Sequence, residues 1–196
     1  MAESKKICHY LDIPIQHINN NVLKRMGRKS NTEQIKSLIM KIRKYMPDAT
    51  IRTSLIAGFP GETDEEFNEL LEFLKEYKLE RVGVFAYSKE EDTPAYLLDN
   101  QIDDEIKEKR RDAAMRISME ISEKLNKEKI GKTFFVMCDG FDEENMLYVG
   151  RTQADSPDID SVVYFGAERE IEPGEVLNVE ILDCDEYDLY GKEDVK

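Results

Sequence analysis

Apolar positions along residues 1–126 follow two alternating rhythms. Residues 10–16 are a short β-compatible run in which Ile13 and Ile15 lie two apart, the spacing that puts side chains on one face of a strand. Residues 20–26 predict a brief helical turn closed by Gly27. Ser30-Asn-Thr-Glu33 fits a capping box, in which a hydroxyl and a carboxylate satisfy the orphan backbone donors of a helix start. Ile35, Leu38, Ile39, Ile42, Tyr45 and Met46 then recur at helical spacing until Pro47. The mostly apolar run over 50–58 predicts a strand covered on both faces. Gly58-Phe-Pro-Gly-Glu62 turns the chain, and Thr63-Asp-Glu-Glu66 is a second capping box. Phe67, Leu70, Leu71, Leu74 and Tyr77 carry the helix that follows. A third strand is expected over 82–87, then a long helix over 103–129 with Ile106, Ala113, Ile117, Ile121 and Leu125 on one face. The order β-α-β-α-β-α with short links predicts neighbouring parallel strands. Three such strands leave two open edges, which proteins avoid, so this unit reads as part of a larger sheet.

From Gly131 the period shortens. Residues 133–139, 147–152, 161–165, 176–183 and 187–190 are five short candidate strands, separated by the turn signals Asp139-Gly140, Ser156-Pro157 and Pro173-Gly174. Five short antiparallel strands in so few residues predict a small OB-like barrel. The expected fold class is therefore α/β followed by all-β, with domains 1–126 and 127–196.

Charge sharpens this division. The 196 residues carry a formal net charge of −14. Residues 127–196 hold 7 Lys/Arg against 19 Asp/Glu, a net of −12, so the first unit is nearly neutral. A protein that grips phosphate backbone carries the opposite sign, so direct nucleic-acid binding is disfavoured and a basic protein partner is favoured. Simple solubilisation by the acids is the alternative. No apolar run approaches the roughly 18 residues a membrane span needs, and the first residues lack a signal-peptide core. That predicts no membrane association and a cytoplasmic location with reduced thiols. Cys8, Cys138 and Cys184 are too far apart in sequence for a local metal motif.

Three stretches then carry a family likeness: Leu11-Asp-Ile-Pro-Ile-Gln-His17 with Val22-Leu-Lys-Arg-Met-Gly-Arg28; Arg52-Thr-Ser-Leu-Ile-Ala-Gly-Phe-Pro-Gly-Glu-Thr63; and Val82-Gly-Val-Phe-Ala-Tyr-Ser88 with Thr93-Pro94-Ala95. In this order and spacing the chain resembles the later half of the radical S-adenosylmethionine methylthiotransferases, and its acidic barrel resembles their C-terminal TRAM domain. The resemblance covers essentially the whole chain. It implies the C-terminal half of a partial TIM barrel with three parallel βα units. Asp12 to His17, Val82 to Ser88 and Asp185-Glu-Tyr-Asp-Leu189 look like the branch that methylthiolates the β-carbon of an aspartate in ribosomal protein S-twelve. Charge points the same way, since branches that modify tRNA profit from a basic barrel. A tRNA-modifying relative and a stand-alone protein-binding module are the alternatives.

In that family S-adenosylmethionine and two 4Fe–4S clusters do the radical chemistry, one cluster being held by a CxxxCxxC motif. The motif is absent from these residues, which predicts a C-terminal fragment that is inactive alone, with neither a catalytic residue nor a metal ligand of its own. The resemblance places Gln16, at the end of the first strand, toward the cofactor. Arg28 is a candidate for the cofactor carboxylate, against a plain surface arginine. Gly58 and Phe59 would let backbone approach the adenosyl group, against an ordinary βα turn. Tyr87 and Ser88 end the third strand with a similar balance. His17 reads as a satisfied or exposed imidazole, Glu62 and Asp64 as helix N-terminal charge, and the basic run at 107–111 as a solvated face. In the barrel, Asp155, Asp158, Asp160, Asp185, Glu186 and Asp188 are candidates for gripping the basic side chains of the ribosomal protein or small subunit.

Overall fold

The computed structural model describes residues 1–4 and 6–195. Its contacts divide into two units, Leu11–Ser118 and Met1–Tyr10 with Met119–Lys196. The first unit is built from β1 (Tyr10–Asp12), α1 (Asn20–Arg25), α2 (Thr32–Tyr45), β2 (Thr50–Ala57), α3 (Asp64–Tyr77), β3 (Arg81–Ala86), a 3-10 turn (Pro94–Leu97) and the greater part of α4 (Asp104–Lys127). Its sheet has the order β1-β2-β3, with β2 and β3 parallel from Arg52 beside Arg81 to Ala57 beside Ala86.

Helices α2, α3 and α4 pack on the same face of this sheet. Ile51, Thr53, Leu55 and Ala57 of β2 are fully buried, and the core they belong to is filled by Ile35, Ile39 and Ile42 of α2, Phe67, Leu70, Phe73 and Leu74 of α3 and Ala114 of α4. Arg52, Ser54 and Ile56, on the opposite face, are half-buried, and Phe85 beside them is exposed. The apolar run in β2 thus misleads as to coverage, because only one face is sealed. A sheet covered on one side and partly polar on the other is the arrangement of a (β/α) barrel wall, whose helices form an outer ring.

The helix starts obey their caps with one shift. Thr63 caps α3 and forms the expected box with Glu66. The box of α2 lies one residue later than Ser30 to Glu33, on Asn31 and Gln34, because an asparagine side chain caps as well as a serine. The buried stripe of α4 is also rotated by one residue. It runs through Lys107, Arg110, Ala114, Ser118 and Ile121, while Ile106 is exposed.

The second unit contains β4 (Thr133–Asp142), β5 (Leu147–Arg151), β6 (Val163–Gly166), β7 (Val176–Cys184) and β8 (Leu189–Glu193), closed as a barrel in the order β4-β5-β6-β8-β7. Val136, Cys138, Val163, Phe165, Val179, Ile181 and Leu189 fill it. One pairing departs from the antiparallel expectation, since β6 and β8 run parallel. A closed ring with an odd number of strands cannot alternate direction all the way round, so one parallel seam is unavoidable. Register shifts between Cys138 and Gly140 and between Ile181 and Asp183 bend β4 and β7, as bulges do where barrels curl. Glycine opposite each bend lets the backbones close: a Cβ on Gly150 would lie 2.4 Å from the Met137 carbonyl oxygen, and one on Gly191 2.4 Å from that of Glu180.

Gly150→Ala is therefore expected to lower the unfolding free energy by about 1–3 kcal/mol through overpacking, while Gly166→Ala, where nothing lies within 4 Å, leaves the denaturation midpoint nearly unchanged.

Candidate functional site

The strands of the first unit end side by side. Gln16 bridges Leu55 in parallel, its N–H donating to the Ser54 carbonyl at 2.9 Å and its carbonyl accepting from Ile56 at 2.8 Å. Tyr87 N–H donates to the Ala57 carbonyl at 2.9 Å. Gln16 has φ 71°, a left-handed conformation uncommon for a residue with a side chain.

The next residue, His17, is completely buried. Its Nδ1 accepts from Asn19 N–H at 3.0 Å, so a neutral ring carries its proton on Nε2. Nε2 faces Glu62 Oε2 at 3.4 Å, outside hydrogen-bond geometry. Glu62 is itself buried, and both its carboxylate oxygens accept from Gly58 N–H at 3.1 Å. Arg110 of α4 completes the cluster. Its Nη1 donates to Glu62 Oε1 at 2.9 Å and to the Glu62 carbonyl at 3.0 Å, and its Nη2 donates to Asp64 Oδ1 at 2.7 Å. One carboxylate thus links the ends of β1 and β2, the start of α3 and the side of α4.

Lys107, one turn before Arg110, lies against Gly58. A Cβ on Gly58 would come within 2.5 Å of Lys107 Cγ, and the glycine has φ 78°, so both space and backbone demand glycine there. The Lys107 ammonium donates to Asp104 at 2.8 Å and sits 5.4 Å from the centroid of the Tyr87 ring. Tyr87 packs edge-to-face on Phe59, with centroids 5.2 Å apart, and both join Val22 in a small buried apolar group that Ile56, Met26, Ala95 and Leu98 border. The Tyr87 hydroxyl is buried and has no hydrogen-bond partner among the described residues. Burial pushes its pKa up, against the pull of Lys107, with Glu90 adding to the rise.

Of the residues singled out from sequence, Gln16, Gly58, Phe59 and Tyr87 gather at this end of the sheet. Arg28 follows α1, is exposed, and donates through Nη2 to the Pro14 carbonyl. Ser88 is exposed and donates to Glu90 at 2.6 Å. The reading of the 107–111 run as a solvated face fails at Lys107 and Arg110, which are buried; their charges are matched by acids rather than by water. Glu62 is likewise more than helix-terminal charge, since its carboxylate is removed from water entirely. The signal was present in the sequence, since residues 107, 110, 114, 118 and 121 keep helical spacing with Ala114 and Ile121 on the same stripe.

The barrel acids separate into two kinds. Asp155 Oδ2 accepts from Thr152 Oγ1 at 2.6 Å, Asp160 Oδ2 from Ser156 N–H at 2.8 Å and from the Tyr10 hydroxyl, and Asp188 Oδ1 from Val162 N–H at 2.9 Å. Asp185 accepts from Tyr187 N–H, Asp188 N–H and the Tyr190 hydroxyl at 2.8, 2.6 and 3.0 Å. The hydrogen bond to Asp185, with burial and the nearby acids, pushes the Tyr190 phenol up to about 12. These bonds bring the loop between β5 and β6 against the turn between β7 and β8. Asp158 and Glu186 are exposed beside them.

The cysteines are scattered: Cys8 is exposed, Cys138 buried and Cys184 half-buried, and burial pushes the latter two thiols up, away from the thiolate form that binds metal. Among the described residues no three His, Cys, Asp or Glu side chains converge to hold a metal ion, so these residues do not fit a 4Fe–4S cluster. No helix among them is long and apolar enough to cross a membrane.

A one-sided parallel sheet, joined in sequence to a closed five-stranded barrel, defines a class: residues 1–74 match the radical SAM superfamily, and residues 130–193 match the TRAM domain. The likeness to radical S-adenosylmethionine methylthiotransferases read from the motifs is thereby borne out. The curated relatives narrow it further, being named ribosomal protein uS12 methylthiotransferase RimO. The protein of Clostridioides difficile is 51% identical over 94% of this chain and 41% of its own length. That of Clostridium botulinum is 50% identical over 97% and 42%, and that of Acetivibrio thermocellus 43% identical over 98% and 42%. The chain thus spans about two fifths of the length of the curated relatives it matches.

Arg110→Met should cost about 3–5 kcal/mol in chemical denaturation by leaving the Glu62 carboxylate buried and unpaired, and the double variant Arg110→Met with Glu62→Gln should recover a large part of it. A second expectation concerns acid. Burial pushes Glu66 up, but the Arg25 hydrogen bond, the Thr63 N–H and the Arg25 charge outweigh it and hold the carboxyl below its ordinary 4.5. Its contribution is complete above that value and is lost as pH falls through the lower folded value. Glu66→Gln should flatten this acid limb in a titration of unfolding midpoint against pH.

Proposed function

We propose that this chain supplies part of the S-adenosylmethionine site and the substrate-docking barrel of an enzyme that methylthiolates the β-carbon of an aspartate in ribosomal protein uS12. The carrying observation is that identity near 50% to RimO proteins extends across both units, over 94–97% of the chain. The arrangement at the strand ends supports the cofactor role. Phe59, the Tyr87 ring and Val22 offer aromatic and apolar walls, which suit an adenosyl group. Gln16 faces the same end, and Gly58 brings backbone to it. Arg28 and Ser88 hold the periphery, Arg28 offering a guanidinium to a carboxylate. When bound, S-adenosylmethionine and 4Fe–4S clusters supply radical hydrogen abstraction and sulfur insertion. In this reading the cluster ligands lie outside these residues, and the chain alone turns over no substrate. Retention of about four iron and four sulfide per chain after anaerobic reconstitution would overturn that point.

The barrel's net charge of −12 supports docking of a basic ribosomal protein and disfavours tRNA. Asp158 and Glu186 are the acids best placed to grip it, because Asp155, Asp160, Asp185 and Asp188 already shape the loops that carry them. Modification of a ribosomal protein implies a cytoplasmic location. The double reversal Asp158→Lys with Glu186→Lys should weaken capture of purified uS12 several-fold and flatten its salt dependence, with the thermal midpoint unchanged. Equal capture by the variant, or tighter binding of tRNA than of uS12 at low salt, would count against the proposal.

A further inference from the structure

We infer that Tyr87 and Lys107 form a carboxylate-recognition pair for the acidic side chain of the polypeptide substrate. This rests on the reading above that the substrate residue is an aspartate, and it goes further by naming the groups that select it.

Tyr87 is nine-tenths buried, yet its hydroxyl has no partner among the described residues. Buried hydroxyls are ordinarily paired, and an orphan at the functional end of a sheet points to a group supplied from outside. The Lys107 ammonium lies 5.4 Å from the centre of the same ring, on a side chain that is only 6% exposed. One N–H donates to Asp104, an exposed carboxylate, and an ammonium has three to give. The nearest buried acid offers no help, because Glu62 is engaged by Arg110 and by Gly58 N–H. A phenol and an ammonium together present donors and positive charge, and an incoming anion takes the ammonium N–H groups that the exposed Asp104 leaves over. The ligand they complement is an anion with more than one acceptor oxygen, as a carboxylate has.

An aspartate side chain is short, so the pair that holds it also fixes its β-carbon within a few ångströms of the strand ends where Gln16 and Gly58 lie. The recognition is chemically selective. Asparagine has the same shape but brings an amide N–H₂ toward an ammonium, which leaves donors facing each other. The 3-10 turn packs on the Tyr87 group through Ala95, with Leu98 just beyond it.

The methionyl carboxylate of S-adenosylmethionine has the same chemistry, and the test separates the two sources. Binding to the 196-residue chain is measured by calorimetry or NMR with a capped pentapeptide carrying one aspartate, and with its asparagine counterpart. The aspartate peptide should bind at least tenfold tighter, and Tyr87→Phe and Lys107→Met should each bring that ratio close to one. Tyr87→Phe should leave the unfolding midpoint of the free chain unchanged or raise it, because the hydroxyl it removes has no internal partner. A wild-type ratio near one, a ratio preserved in both variants, or a lowered midpoint in Tyr87→Phe overturns the inference. S-adenosylmethionine and methylthioadenosine, which lacks the carboxylate, form the second arm. If Lys107→Met weakens the first ligand alone while sparing peptide discrimination, the pair serves the cofactor and the inference fails. Capture of uS12 by a chain that does not discriminate the peptides sinks this inference only. Failure to capture uS12 at all sinks the proposed function and this inference with it.

Discussion

The carboxylate of Glu62 is held out of water at the point where two strands end and two helices pass. A buried charge of this kind costs several kcal/mol unless it is paired and its lone pairs are filled. Here the lone pairs are filled by the guanidinium of Arg110 and the Gly58 amide, while the His17 imidazole lies 3.4 Å away and Asp64 holds the other arm of Arg110. Each partner belongs to a different stretch of chain, so neutralising one group fixes the relative positions of all of them. The docking of α4 through Arg110 then carries Lys107 onto Gly58, which makes glycine obligatory there and sets the ammonium above Tyr87. The aromatic and polar groups at the strand ends inherit their geometry from that one electrostatic requirement.

The barrel answers a different constraint. Its charge is large and of one sign, yet much of it is not free. Asp155, Asp160, Asp185 and Asp188 accept backbone or hydroxyl hydrogen bonds that shape two neighbouring loops, and charge-assisted bonds of this kind are among the stronger ones available. The acids therefore act twice. They hold the loops in one conformation and leave the outer surface negative, with Asp158 and Glu186 exposed at the same end.

Much of this was legible in the sequence, and the failures are instructive. The capping residues, the strand spacing and two of the three turn signals located the elements to within a few positions, because local hydrogen bonding and side-chain periodicity dictate them, whereas Asp139-Gly140 lies inside β4 as a bulge and not as a turn. The motif order identified the family. Two readings failed for the same reason. Lys107 and Arg110 were assigned to water because charge usually seeks it, and Glu62 was assigned to a helix start. Only the tertiary fold brings them together from positions 45 or more residues apart, and no local pattern in either segment announces its partner. The parallel seam of the barrel was, by contrast, deducible from the strand count alone. Coverage of β2 was misread because an apolar run does not tell a sheet between two helix layers from one that helices seal on a single face.

That seam places β8 between β6 and β7, parallel to one and antiparallel to the other. Five residues, Leu189–Glu193, therefore close the ring and shield two neighbours at once. Withdrawal of this one strand would bare the hydrogen-bonding edges of both β6 and β7 and uncover a core that contains Phe165 and Ile181. Loss of so short a segment would open the ring and offer both bared edges to a strand from another molecule.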